Sequence, residues 1–125
     1  MNTKEFMNQL NKVQELMDLE KYKEAIILLD KLKEIEKNSN LNYDITHRLY
    51  QLDSNSRSLY NQQIILKQLS NISKMNYSIS FHELNQVLKE KNKLELSNDI
   101  LRREIEILIL RNLLTCRIDG ERLVF

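Results

Sequence analysis

The sequence predicts a mainly α-helical chain, with repeat-like helices first and a small β-hairpin at the C-terminus. Three observations carry this expectation. The 125 residues include one Gly and no Pro, which favours helix and excludes Gly-rich phosphate loops, Rossmann turns and Pro-rich linkers. Apolar residues recur every three or four positions over most of the chain. The single Gly follows an Asp between two β-capable runs, the strongest short-range hairpin signal. With 30% charged and 42% hydrophobic residues the chain is globular rather than disordered, and its size allows one ordinary domain or two very small ones.

Phe6, Leu10, Val13 and Met17 lie at helical spacing, widened by Leu16 and Leu19, and define a first helix. A second runs from Lys21 to Lys37, with Tyr22, Ala25, Ile26, Leu29, Leu32 and Ile35 inward. Asn38, Ser39 and Asn40 end it, because their side chains compete for backbone hydrogen bonds. The two are expected to pair antiparallel. Leu41, Ile45, Leu49 and Leu52 predict a short third helix, stopped by Asp53, Ser54, Asn55 and Ser56. A fourth is expected from Arg57 to Met75, burying Leu59, Ile65, Leu66, Leu69, Ile72 and Met75. These helices form a segment over 1–76, followed by a distinct subdomain over 77–125.

In that subdomain Ile79 begins a short strand, and Ser80 with Glu83 three residues later is a capping-box pattern opening a helix with Phe81, Leu84, Val87 and Leu88 inward. Ser97 is the next N-cap, and Ile100, Leu101, Ile105, Leu108 and Ile109 give the last helix a wide apolar face. A loop of Asp119 and Gly120 would place Ile118 opposite Glu121, Cys116 opposite Leu123 and Leu114 opposite Phe125. It would also set Arg117 against Arg122, a like-charge pair that costs stability unless solvated or bound. Strand, helix, helix, hairpin is the order of a winged helix.

From Tyr60 to Phe125 the chain resembles the C-terminal part of a PCI domain, the module of the proteasome lid, the COP9 signalosome and translation initiation factor 3. The likeness rests on Tyr77, Ile79, Ser80 and Leu84 at the start of the winged segment, on the run Arg102, Glu104, Ile105, Leu108 and Ile109, and on Leu114, Ile118 and Asp119 leading into the apolar Leu123-Val124-Phe125. Upstream, the stretch from Leu19 to Ile26 is similar to the middle of a tetratricopeptide unit, with Tyr22, Ala25, Leu29 and Leu32 at its packing positions. The resemblance implies helical repeats feeding a winged helix whose exposed strand adds to a neighbour's sheet, which gives Leu123, Val124 and Phe125 a role in partner binding. Leu110 and Leu113 join them, because the run from Ile105 to Leu114 is apolar nearly all round and needs cover on several sides.

The expected function is therefore that of a non-catalytic scaffold subunit of a multi-protein complex, intracellular and soluble, with other protein subunits as partners. The alternative is a winged-helix nucleic-acid binder, a small transcription regulator using Arg102, Arg103, Arg117 and Arg122. Charge does not favour it. The whole chain carries a formal net charge of +1, and from Ser80 onward five arginines and three lysines balance six glutamates and two aspartates. His47 and His82 are far apart in sequence with no carboxylates at ligand spacing, and the lone Cys116 is expected to be a buried apolar side chain. No nucleophile, base and orienter assemble, so neither enzyme activity, metal nor cofactor is expected. No stretch is apolar for the length of a membrane span, and the N-terminus lacks the apolar core of a signal peptide.

Overall fold

The computed structural model describes all residues, 1–125. It is mainly helical with a small three-stranded antiparallel sheet. The elements are α1 (Thr3–Asp18), α2 (Tyr22–Lys37), α3 (Tyr43–Ile72), β1 (Ser78–Ser80), α4 (Phe81–Asn92), α5 (Asn98–Leu110), β2 (Arg117–Asp119) and β3 (Arg122–Val124). Two compact units divide at Tyr60, inside α3, whereas the sequence placed the change after residue 76.

In the N-terminal unit the Asn2 side chain caps α1 by accepting from the Glu5 amide. The predicted stripe of Phe6, Leu10, Val13 and Met17 is buried with Ala25, Leu29 and Leu32 of α2 and Ile45, Leu49 and Leu52 of α3. Three residues connect α1 to α2. The Lys21 amide donates to the Leu16 carbonyl and the Glu20 amide to that of Met17, a Schellman closure with Glu20 at φ +59° in the left-handed position usually given to Gly.

The expected break at residues 53–56 does not occur, and the third and fourth predicted helices are one thirty-residue helix. Each supposed breaker has a place in it. Asp53 is held by Lys33 and Arg57. The Ser56 hydroxyl is buried and donates to the Asp53 carbonyl within the same helix, while Ser54 and Asn55 face solvent. The buried side of α3 runs through Ile45, Leu49, Leu52 and Ser56, then half-buried Leu59, then Gln62, Ile65, Gln68 and Leu69, so its helical spacing continues with polar residues at three positions. The helix ends at Ile72 and leaves Met75 in solvent, against the expected burial.

In the C-terminal unit, Ile65 and Leu69 of α3 are buried with Phe81, Leu84, Leu88, Leu101, Ile105, Leu108, Cys116, Ile79 and Leu123. The sheet order is β1-β3-β2. The hairpin loop lies one residue later than expected, which moves every cross-strand partner by two residues. Asp119 pairs with Arg122 and Ile118 with Leu123, so Gly120 and Glu121 form the loop. The reason is conformational. A loop centred on Asp119 and Gly120 would require positive φ at both, whereas only Gly120, at +60°, adopts it. The shift removes the expected clash of Arg117 with Arg122, because Arg117 now opposes Val124 and Arg122 lies between Asp119 and Ser80. Cys116 is buried as expected, but Ile118 rather than Cys116 is opposite Leu123. Leu114 is half-buried and Phe125 is exposed rather than inward.

Candidate interaction surfaces of the C-terminal unit

Two caps fix the helices that carry the predicted site residues. Ser80 and Glu83 form the expected capping box at α4, with the Glu83 amide donating to the Ser80 hydroxyl oxygen and the Glu83 carboxylate accepting from the Ser80 amide. Hydrogen bonds from the Ser80 hydroxyl and amide hold the Glu83 carboxyl below its ordinary range, and Arg122 adds to this. Ser97 caps α5 by accepting from the Ile100 amide.

Of the arginines considered for nucleic acid, three are occupied. Arg102 donates to the Gly120 carbonyl at 3.2 Å, pairs with Glu106 and Glu121, and lies over the Phe81 ring at 5.3 Å. It therefore ties α5 to the hairpin loop. Arg103 pairs with the buried Glu104. Arg122 donates to the Ser78 hydroxyl and pairs with Glu83. Arg117 alone has no partner and is exposed on β2. The four do not form one basic surface, since each of the first three meets a carboxylate within its own unit.

The apolar candidates separate sharply. Leu123 is fully buried on the central strand, and both sides of β3 are occupied, by β1 and β2. Edge pairing through Leu123, Val124 and Phe125 is therefore corrected: β3 has no free edge, and only β1 and β2 have one. Phe125 instead donates its amide to the Tyr77 carbonyl and presents its ring at the surface. Leu110 and Leu113 are 81% and 48% exposed. The sequence missed Met75 and Tyr77, which are 88% and 93% exposed. Tyr77 was singled out only for its motif position, and Met75 was assigned to the core because α3 was extended too far.

Two open cavities share Phe125 and Ser73. One, of about 340 Å³, is lined by Leu66, Leu69, Leu113, Leu114 and Cys116 among others; the second, of about 350 Å³, by Met75, Asn76 and Tyr77. Both open beside Phe125, and the first is lined mainly by apolar side chains. Burial raises the Cys116 thiol above its ordinary value, which disfavours the thiolate.

The C-terminal unit also holds a polar chain that sequence reasoning did not find. Gln62 donates to Glu104 at 2.9 Å, Arg111 donates to Gln62 at 2.8 Å, and Arg103 closes on the other Glu104 oxygen at 3.2 Å. Glu104 and Gln62 are both buried. The only available signal was indirect, a carboxylate and an amide falling on the apolar phases of two helices. The histidines are separate: His47 stacks on Tyr43 at 5.7 Å, and His82 is exposed on α4. No three His, Cys, Asp or Glu side chains cluster in a way that could hold a metal ion, and no helix is long and apolar enough to cross a membrane.

Comparison with known proteins adds no relative. No family model, no curated protein and no solved structure matches the chain.

Proposed function

We propose that this protein is a non-catalytic assembly subunit that binds another protein through its C-terminal unit. The observation that carries this reading is the exposed apolar set of Leu113, Met75, Tyr77 and Phe125 lining two open cavities, with Leu110 exposed at the end of α5. Large apolar side chains grouped at a concavity are the usual anchors of protein interfaces. The element order supports a winged-helix arrangement: the end of α3, then β1, α4, α5, β2 and β3, with the last strand central in the sheet. A PCI-like mode of assembly is the form this proposal takes from the sequence motif. The ion pairs of Arg102, Arg103 and Arg122 weigh against the nucleic-acid alternative, because a groove binder keeps its cations free for phosphate.

The deciding experiment is affinity recovery of tagged protein from its own cells, alongside a Leu110→Asp, Leu113→Asp variant. The expected result is a stoichiometric partner held by the wild type and lost by the variant, with the helical circular dichroism of the two alike. Equal recovery by both would move the interface elsewhere. Duplex DNA binding with a steep salt dependence, abolished by Arg117→Ala, would replace this reading with the alternative.

A further inference from the structure

The outer edge of β2 is unpaired, and its chemistry is self-complementary. The direction of its backbone groups follows from the sheet. Phe81 donates to the Glu121 carbonyl and Phe125 to that of Tyr77, so odd-numbered residues of β3 turn their backbone groups toward β1. Arg122 and Val124 therefore turn theirs toward β2, where they meet Asp119 and Arg117. The amide and carbonyl of Ile118 consequently point away from the sheet, at the free edge.

We propose that this edge pairs with the same edge of a second copy of the chain, antiparallel and centred on Ile118. In that register the outward-facing backbone groups of Ile118 meet those of Ile118 in the other copy, and Arg117 of each copy lies directly opposite Asp119 of the other. Both side chains are exposed and neither has an ion-pair partner within the chain, and both project from the face opposite the core, while Ile118 projects toward it. Charge selects this register over its neighbours. A slip by one step in either direction sets Arg117 against Arg117 or Asp119 against Asp119, which antiparallel pairing penalises because the closest side chains would carry like charge. Ile118, half-buried in the core of its own unit, meets its symmetry mate on the inner face. The result is a continuous six-stranded sheet with a two-fold axis, a closed association that leaves β1 as the outer edge of each copy. This inference does not rest on the assembly reading above, because its surface excludes Leu110, Leu113 and Phe125.

Sedimentation equilibrium on the purified chain across the micromolar range tests it, with Arg117→Asp and Asp119→Arg as variants. The wild type is expected to show a monomer–dimer equilibrium. Each single variant should weaken it more than about tenfold, because symmetry turns two attractive contacts into two repulsive ones at once. An equimolar mixture of the two variants should restore dimers, since every cross-edge pair is then of opposite sign. That restoration separates a broken interface from a misfolded hairpin. A wild type that stays monomeric, single variants that still dimerise, or a mixture that fails to associate would each overturn the proposal, and none of these bears on partner recovery through Leu110 and Leu113.

Discussion

The two units solve the burial of polar side chains differently. In the N-terminal unit the charged groups stay near the surface. Lys33 bridges Asp30 and Asp53, and Arg57 joins the same two carboxylates, forming a four-member network at the border between α2 and α3. Ser56 is the one polar residue buried there, and its hydroxyl is satisfied within its own helix. The C-terminal unit buries Gln62, Gln68 and Glu104, each bonded to another element: Gln62 to Glu104 of α5, and Gln68 to Asn92 of α4. Specificity in the first unit therefore comes from the apolar stripe. In the second, polar partners must also meet, which ties α3 to α5 through Gln62 and Glu104 and to α4 through Gln68 and Asn92.

The helix common to both units gives the sharpest test of this contrast. Asn55 is exposed near the middle of α3, so Asn55→Pro removes no packing and acts on the backbone alone. A continuous helix predicts a loss of about 3 kcal/mol or more in urea unfolding, with a drop in helical circular dichroism. A helix ending at the Asp53–Ser56 stop would tolerate the change within about 0.5 kcal/mol.

A double-mutant cycle on Gln62 and Glu104 probes the buried side of the comparison. Glu104→Leu leaves the Gln62 amide without its 2.9 Å acceptor and should cost about 1–3 kcal/mol, as should Gln62→Leu, while the double variant should cost clearly less than their sum. The counterpart in the other unit, Arg57→Ala, removes a half-exposed member of a solvated network and should cost no more than about 1 kcal/mol. Additive Gln62 and Glu104 effects would break the contrast.

What the sequence revealed follows the same division. The stripe of α1 and α2 was legible because every buried position is apolar and the spacing alone identifies it. The capping box at Ser80 and the N-cap at Ser97 were legible because capping is local, needing only residues three apart. The continuity of α3 was hidden because Ser56 and Gln62 occupy stripe positions, and their partners are distant in sequence or satisfied in a way composition does not show. The hairpin was found, yet its register depended on whether one or two residues adopt positive φ, which Asp-Gly does not decide. Of the site, Leu110 and Leu113 were visible as apolar excess, whereas Met75 and Tyr77 depended on where α3 ends. For the arginines of the alternative reading the sequence showed the balance of charge, whereas the pairing of Arg122 with Glu83 and of Arg102 with Glu121 joins residues distant in sequence.

The smallest expected effects lie at the helix ends. With one Gly in the chain, three helices close on left-handed residues that carry side chains: Glu20 at φ +59° in the N-terminal unit, and Lys93 at +53° and Asn112 at +60° in the C-terminal one. Left-handed backbone costs an L-residue roughly 1–2 kcal/mol, and Gly avoids this at the expense of greater freedom in the unfolded chain, about 0.5–1 kcal/mol. Glu20→Gly and Lys93→Gly should therefore each stabilise the protein by roughly 0.5 kcal/mol, since both side chains are exposed. Asn112→Gly should gain less, because Asn tolerates this conformation better than Glu or Lys. Urea midpoints of the three variants rank the effects. If Asn112→Gly gained as much as the other two, side-chain identity would not set the strain at these closures.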